Sequence, residues 1–157
     1  MKAPPRRSRG LCLHVAEPRS AYLHRPPLVT DASVIAAALF GEGHSDEAIA
    51  LLRGRTLHAP HLLDPEIGSV ALKKLRRERI TWAAVSDALQ TYAQLAIERH
   101  AVTTDSVIAI AQRYEITAYD ATYLVVAEHL NAPLATFDES LAKAARAHLA
   151  LADQVHE

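Results

Sequence analysis

From Leu28 onward, short apolar runs alternate with longer stretches of helical period, and no other feature limits the possible folds as much. The spacing predicts strands over 28–30, 57–59, 96–98, 134–136 and 149–151. Between them it predicts helices over 32–39, 44–53, 63–79, 82–95, 104–114, 119–130 and 138–148. Gly41 and Gly43 interrupt the helical pattern after the first strand, and Asn131-Ala132-Pro133 marks a turn before a later one. Strands that alternate with helices in this way imply an α/β fold with a parallel sheet covered on both faces.

Residues 1–27 do not follow the pattern. Five prolines interrupt them, and neither a helical nor a strand period survives, so they read as a flexible basic extension ahead of a domain at 28–157. The extension carries Lys2, Arg6, Arg7, Arg9, Arg19 and Arg25 against one acid, Glu17. Because the 1–26 segment is thus +5 and the whole chain −1, residues 27–157 carry −6. Bulk charge therefore does not draw the domain to nucleic acid, and a local basic patch would have to do so. No apolar run approaches the roughly 20 residues that span a bilayer, which points away from a membrane. The one cysteine, Cys12, excludes a disulfide framework and a thiolate zinc site, and a cytoplasmic setting is expected.

In open α/β sheets, ligands collect at the carboxyl ends of the strands. Acids stand at those places. Asp31 ends the first strand, Asp138 follows the run 134–136, and Asp120 and Glu66 sit in first helical turns. Each has a plain explanation of its own. Asp caps helices, and an acid in a first turn complements the helix dipole. Together they form a candidate oxygen-only site suited to Mg²⁺ or Mn²⁺. None of the nine histidines forms a pair at zinc spacing.

At about 100° per residue, Lys73 and Arg77 fall within about 20° of Glu66 on a straight helix, away from the apolar stripe through Ile67, Ala71 and Leu75. They belong to Lys73-Lys74-Leu75-Arg76-Arg77-Glu78-Arg79, the dense basic segment of the domain. It is either a solvated helix end or a strip that contacts phosphates.

Four stretches resemble the acidic motifs of PIN domains in order and spacing, over about residues 28–151. They are Val29-Thr30-Asp31-Ala32-Ser33-Val34-Ile35, Pro65-Glu66-Ile67-Gly68-Ser69-Val70-Ala71-Leu72, Ile116-Thr117-Ala118-Tyr119-Asp120-Ala121-Thr122-Tyr123-Leu124 and Pro133-Leu134-Ala135-Thr136-Phe137-Asp138-Glu139-Ser140-Leu141. Within that family the chain is most similar to VapC-type toxins of bacterial type II toxin–antitoxin pairs. The resemblance implies a PIN-like three-layer sandwich and an endoribonuclease dependent on Mg²⁺, with Mn²⁺ able to substitute. It also implies an RNA substrate, a homodimer and a small cognate antitoxin. Asp31, Glu66, Asp120 and Asp138 would be the catalytic metal ligands, Ser33 and Thr136 would support them, and Lys73 and Arg77 would hold RNA. A housekeeping PIN nuclease of RNA processing and a non-catalytic PIN-like scaffold are the alternatives. The intact acid set argues against the scaffold. A haloacid-dehalogenase-type phosphatase needs a second Asp two residues after the first, where this chain has Ser33.

Overall fold

A computed structural model describes residues 25–41, 43–78 and 80–155. The expected extension lies outside the described residues except at its last three positions. The elements run β1 (Pro27–Thr30), α1 (Ala32–Phe40), α2 (Ser45–Leu52), β2 (Thr56–Pro60), α3 (Leu63–Lys73), α4 (Trp82–Gln94), β3 (Ile97–His100), α5 (Thr104–Tyr114), α6 (Ala118–Leu130), β4 (Leu134–Ala135) and α7 (Glu139–Val155). The four strands form one parallel sheet in the order β3-β2-β1-β4. Helices flank it, and α6 packs on β1, β2 and β4. The α/β architecture expected from the alternation is therefore the one observed. Among the described residues, no helix is long and apolar enough to cross a membrane.

The chain order around β1 positions the site. From β1 the chain steps outward to β2 and β3, and then returns across the sheet to place β4 on the other side of β1. The direction of winding thus reverses between β1 and β4. The carboxyl ends of two strands at such a reversal splay their following loops apart and leave a crevice. Leu28, Val29 and Thr30 are buried, as a central parallel strand requires. Pro27, which has no N–H, is tolerated because it is the first residue of β1.

Four details differ from the sequence expectations. The helix expected over 63–79 stays regular only to Lys73, and one π turn, Lys74–Glu78, follows. Buried Lys74 accompanies the change, with its ammonium 5.3 Å from the Phe40 ring centroid. The residues expected to form a last strand at 149–151 instead continue α7. Leu141, Ala144, Ala145 and His148 are buried at a helical spacing that runs directly into them, so the helix needs no interruption there. Finally, β3 is displaced toward His100, and α6 is capped by Thr117 rather than opened by Tyr119 or Asp120.

The first described residues engage the sheet. Thr56 donates its backbone N–H to the Pro26 carbonyl and its hydroxyl to the Arg25 carbonyl. Removing residues 1–24 is expected to leave the melting temperature unchanged. Extending the deletion through Pro27 should cost roughly 1–3 kcal/mol, because two hydrogen bonds and the start of the central strand go with it. Equal melting temperatures for the two truncations would place the domain boundary after β1 has begun.

Candidate active site

Asp31 follows β1, where backbone N–H groups at the start of α1 point back at it. Its Oδ1 accepts from Ser33 N (3.0 Å), Val34 N (3.2 Å) and Ser33 Oγ (2.6 Å), and its Oδ2 accepts from Thr136 Oγ1 (2.6 Å). The cap reading of Asp31 is correct, yet incomplete, because the side chain also reaches across to β4. Both hydroxyls are themselves anchored: Phe137 N donates to Ser33 Oγ at 2.9 Å, and Asp138 N donates to Thr136 Oγ1 at 2.9 Å. Asp31 is only 6% exposed. Burial pushes its pKa up, and the four donors pull the other way by stabilising the charged form. With three donors on Oδ1 and one on Oδ2, Oδ2 retains lone-pair capacity for a cation.

Glu66 projects from α3, half-buried, and the Tyr123 hydroxyl donates to its Oε2. Burial raises the Glu66 pKa, the Tyr123 hydrogen bond opposes that rise, and the nearby charges of Asp31 and Asp120 add to it. Burial and the same carboxylate hold the Tyr123 phenol well above its ordinary range, so it acts as a donor at any working pH. Asp120 lies three residues before Tyr123 on α6, so both can face one side of that helix. Its Oδ2 accepts from Thr117 Oγ1 at 2.7 Å, and the same hydroxyl accepts from Asp120 N at 3.1 Å. Thr117, not Asp120, is therefore the cap, which leaves the carboxylate available for another role.

Glu66 thus lies within electrostatic reach of both Asp31 and Asp120. Asp138 stands on the exposed rim, joined to the cluster through Thr136. Its Oδ1 caps α7 by accepting from Leu141 N at 2.8 Å. No salt bridge among the described residues involves any of the four acids. All of the donor atoms are carboxylate oxygens, so the cluster fits a hard divalent ion.

Beside it runs a groove of about 430 Å³ lined by Ser33, His44, Lys73, Lys74 and Phe137 among others. Lys73 therefore borders this groove. Arg77 does not share this groove and lines a neighbouring depression with Ser69, Lys73 and Arg76. The π turn accounts for the difference, since its wider turn breaks the angular register that a straight helix would keep. Sequence reasoning missed Tyr123, Thr117 and the His44–Phe137 pair. The two rings stack with centroids 4.9 Å apart and planes 28° apart. Tyr123 was accessible through its i+3 spacing from Asp120, whereas the ring pair has no local signal.

A crevice at the winding reversal of a four-stranded parallel sheet is where α/β proteins of this architecture bind their ligands, and Asp31, at the end of β1, stands there. The PIN domain family profile matches residues 28–147. Ribonuclease VapC9 of Mycobacterium tuberculosis is 38% identical over 120 residues, which cover 76% of this chain and 92% of that protein. Ribonuclease VapC3 of Pyrobaculum aerophilum is 31% identical over 121 residues, with 74% and 92% covered. The solved structure of PAE2754 from Pyrobaculum aerophilum superposes with a TM-score of 0.62 at 27% identity, covering 83% of this chain and 91% of that one. The Mycobacterium tuberculosis VapC20 structure, described as a sarcin-ricin loop cleaving toxin, superposes at a TM-score of 0.57 and 17% identity, covering 74% and 94%, and shares the fold. The chain belongs to the PIN-domain family, among the VapC-type ribonucleases.

The electrostatics make a prediction about stability. Burial raises the pKa values of Asp31 and Glu66, so the folded state binds protons more tightly there than the unfolded chain. Their contribution is full below the ordinary carboxylate pKa and is lost as pH rises through the raised values. Asp120→Asn removes one repelling charge and keeps the shape. In EDTA at neutral pH it should melt at the same temperature as the parent or up to about 4 °C higher, roughly 1 kcal/mol. In Mg²⁺ it should gain less than the parent does. Thermal melts of both proteins, each with and without Mg²⁺, check this, and equal Mg²⁺ stabilisation would remove Asp120 from the cluster.

Proposed function

We propose that the chain is a Mg²⁺-dependent endoribonuclease, with Mn²⁺ able to substitute, that hydrolyses RNA phosphodiester bonds at Asp31, Glu66, Asp120 and Asp138. The observation that carries this reading is that Glu66 lies within reach of the charges of Asp31 and Asp120, and that among the described residues no salt bridge involves any of the three. Buried like charges are costly, and a divalent ion is the compensation that an all-oxygen donor set accepts best. When bound, the ion lowers the pKa of its water and stabilises charge on the phosphate oxygens.

The protein's own side chains then have distinct tasks. Asp31, Asp120 and Glu66 hold the ion, and Asp138 completes the set from the rim. Ser33 and Thr136 fix the Asp31 carboxylate and leave lone-pair capacity on Oδ2, which accepts from Thr136 alone. Tyr123 holds Glu66 in place and ensures that it is Oε2 that receives the phenol proton donor. Lys73, on the groove wall, meets the RNA backbone, and Arg77 extends that contact beyond the groove. The stacked His44–Phe137 pair offers a surface for an unstacked base, as recognition of single-stranded RNA requires. In a toxin–antitoxin pair the partner is a small cognate antitoxin that blocks the crevice. We further propose a homodimer acting in the cytoplasm without a membrane, with residues 1–27 as a basic extension to the PIN domain.

Cleavage of RNA should require added Mg²⁺ or Mn²⁺ and fall to background in EDTA, and full activity in EDTA would sink the mechanism. Asp31→Asn and Asp120→Asn should each lower kcat by orders of magnitude. Tyr123→Phe should lower it about 10- to 100-fold, the scale reported for partners that orient a ligand.

The two basic residues should separate in a salt titration of RNA binding. Lys73→Ala should reduce the slope of log K against log salt by about 0.7, one phosphate contact on a single strand. Arg77→Ala should do so less, because it stands outside the groove. A slope unchanged in both variants would make the segment a solvated helix end.

A further inference from the structure

The second cluster of titratable groups lies at the opposite side of the sheet, on edge strand β3 and its neighbour β2. The register pairs His58 with Glu98 and Pro60 with His100. Residues two apart on a strand share a face, so Glu98 and His100 point to the side that His58 occupies. Arg99 points the other way, where its guanidinium binds Asp64 and the Tyr92 hydroxyl. The three like-facing side chains meet at their tips. His58 Nδ1 is 3.0 Å from His100 Nε2 and 3.6 Å from Glu98 Oε2, and His100 Nε2 is 3.9 Å from Glu98 Oε1. The three ligand atoms all lie within 4.8 Å of one another.

We propose that His58, Glu98 and His100 form a binding site for Zn²⁺ that ties edge strand β3 to β2. The donor set is two imidazole nitrogens and one carboxylate oxygen, which suits zinc and does not suit Mg²⁺. Bonds of about 2.0–2.1 Å in a tetrahedral shell separate ligand atoms by roughly 3.3 Å, and the observed separations bracket that figure. The His58 side chain is 9% exposed, His100 22% and Glu98 64%, so the site has a buried floor and an open side. The open side leaves the fourth position to water. His100 also borders a cavity of about 100 Å³ shared with Val125, Val126 and His129, and a water needs only about 30 Å³. The cluster stands on β2 and β3, whereas Asp31 follows β1 and Asp138 follows β4 on the other side of the sheet order. The zinc site is therefore separate from the acid crevice, and its test does not depend on nuclease activity.

The experiment uses the full chain without an affinity tag, in excess Mg²⁺ to saturate oxygen-only sites. Zn²⁺ is added and measured by equilibrium dialysis, and the melting temperature is followed in parallel. The parent should retain one Zn²⁺ that Mg²⁺ does not displace and should melt several degrees higher with it. His100→Gln should lose that ion. Glu98→Gln, at an exposed position that leaves the fold intact, should bind it at least tenfold more weakly. Failure of the parent to retain Zn²⁺ overturns the proposal and leaves a hydrogen-bonded histidine pair. Retention unchanged in both variants also overturns it, because the ion then sits elsewhere among the nine histidines.

Discussion

The buried carboxylate of Asp31 holds the crevice together. A charge this far from water is unfavourable unless it is hydrogen-bonded, and Asp31 meets that need from two directions. Ser33 N and Val34 N come from the first turn of its own helix, and the Thr136 hydroxyl comes from beyond β4. Because Ser33 Oγ and Thr136 Oγ1 in turn accept the N–H groups of Phe137 and Asp138, the loop after β4 is fastened to the loop after β1. β4 is only two residues long, too short to fix this geometry through its ladder alone. The carboxylate that organises the crevice is also the one we assign to its metal.

The rest of the site is arranged around that anchor from the helices. Glu66 comes from α3 and is held by Tyr123 of α6, which also supplies Asp120. The packing of α6 over β1 and β2 is therefore what sets the distance between the acids. A site of like charges works against the fold until a cation is present, so stability and the proposed function are linked through one ion. The surrounding domain is net negative, and the groove beside the crevice answers this locally with Lys73 and the stacked His44–Phe137 rings.

Much of the fold could be read in advance, because it depends on local periodicity. The strand–helix alternation, the parallel sheet and all four acids at element ends follow from apolar spacing and from residues that start or stop helices. The expectations failed where tertiary contacts compete with local pattern. Lys74 is buried against Phe40 and the helix widens into a π turn, which separates Arg77 from the groove that Lys73 lines. At the other end, the buried stripe of α7 extends helix through residues whose short apolar run suggests a strand.

By itself, the sequence determined which residue types stand at the ends of which elements, and so which acids were available to a metal. Only the tertiary structure decided which groups meet. Thr136 reaches Asp31 across 105 residues, Tyr123 reaches Glu66 across 57, and His100 reaches His58 across 42. Such contacts depend on strand order, register and the packing of α6, none of which leaves a period in the chain. The histidine cluster shows this most clearly. Glu98 and His100 alternate on one strand and His58 lies on another, so no spacing rule for zinc ligands could join them before β2 and β3 were paired.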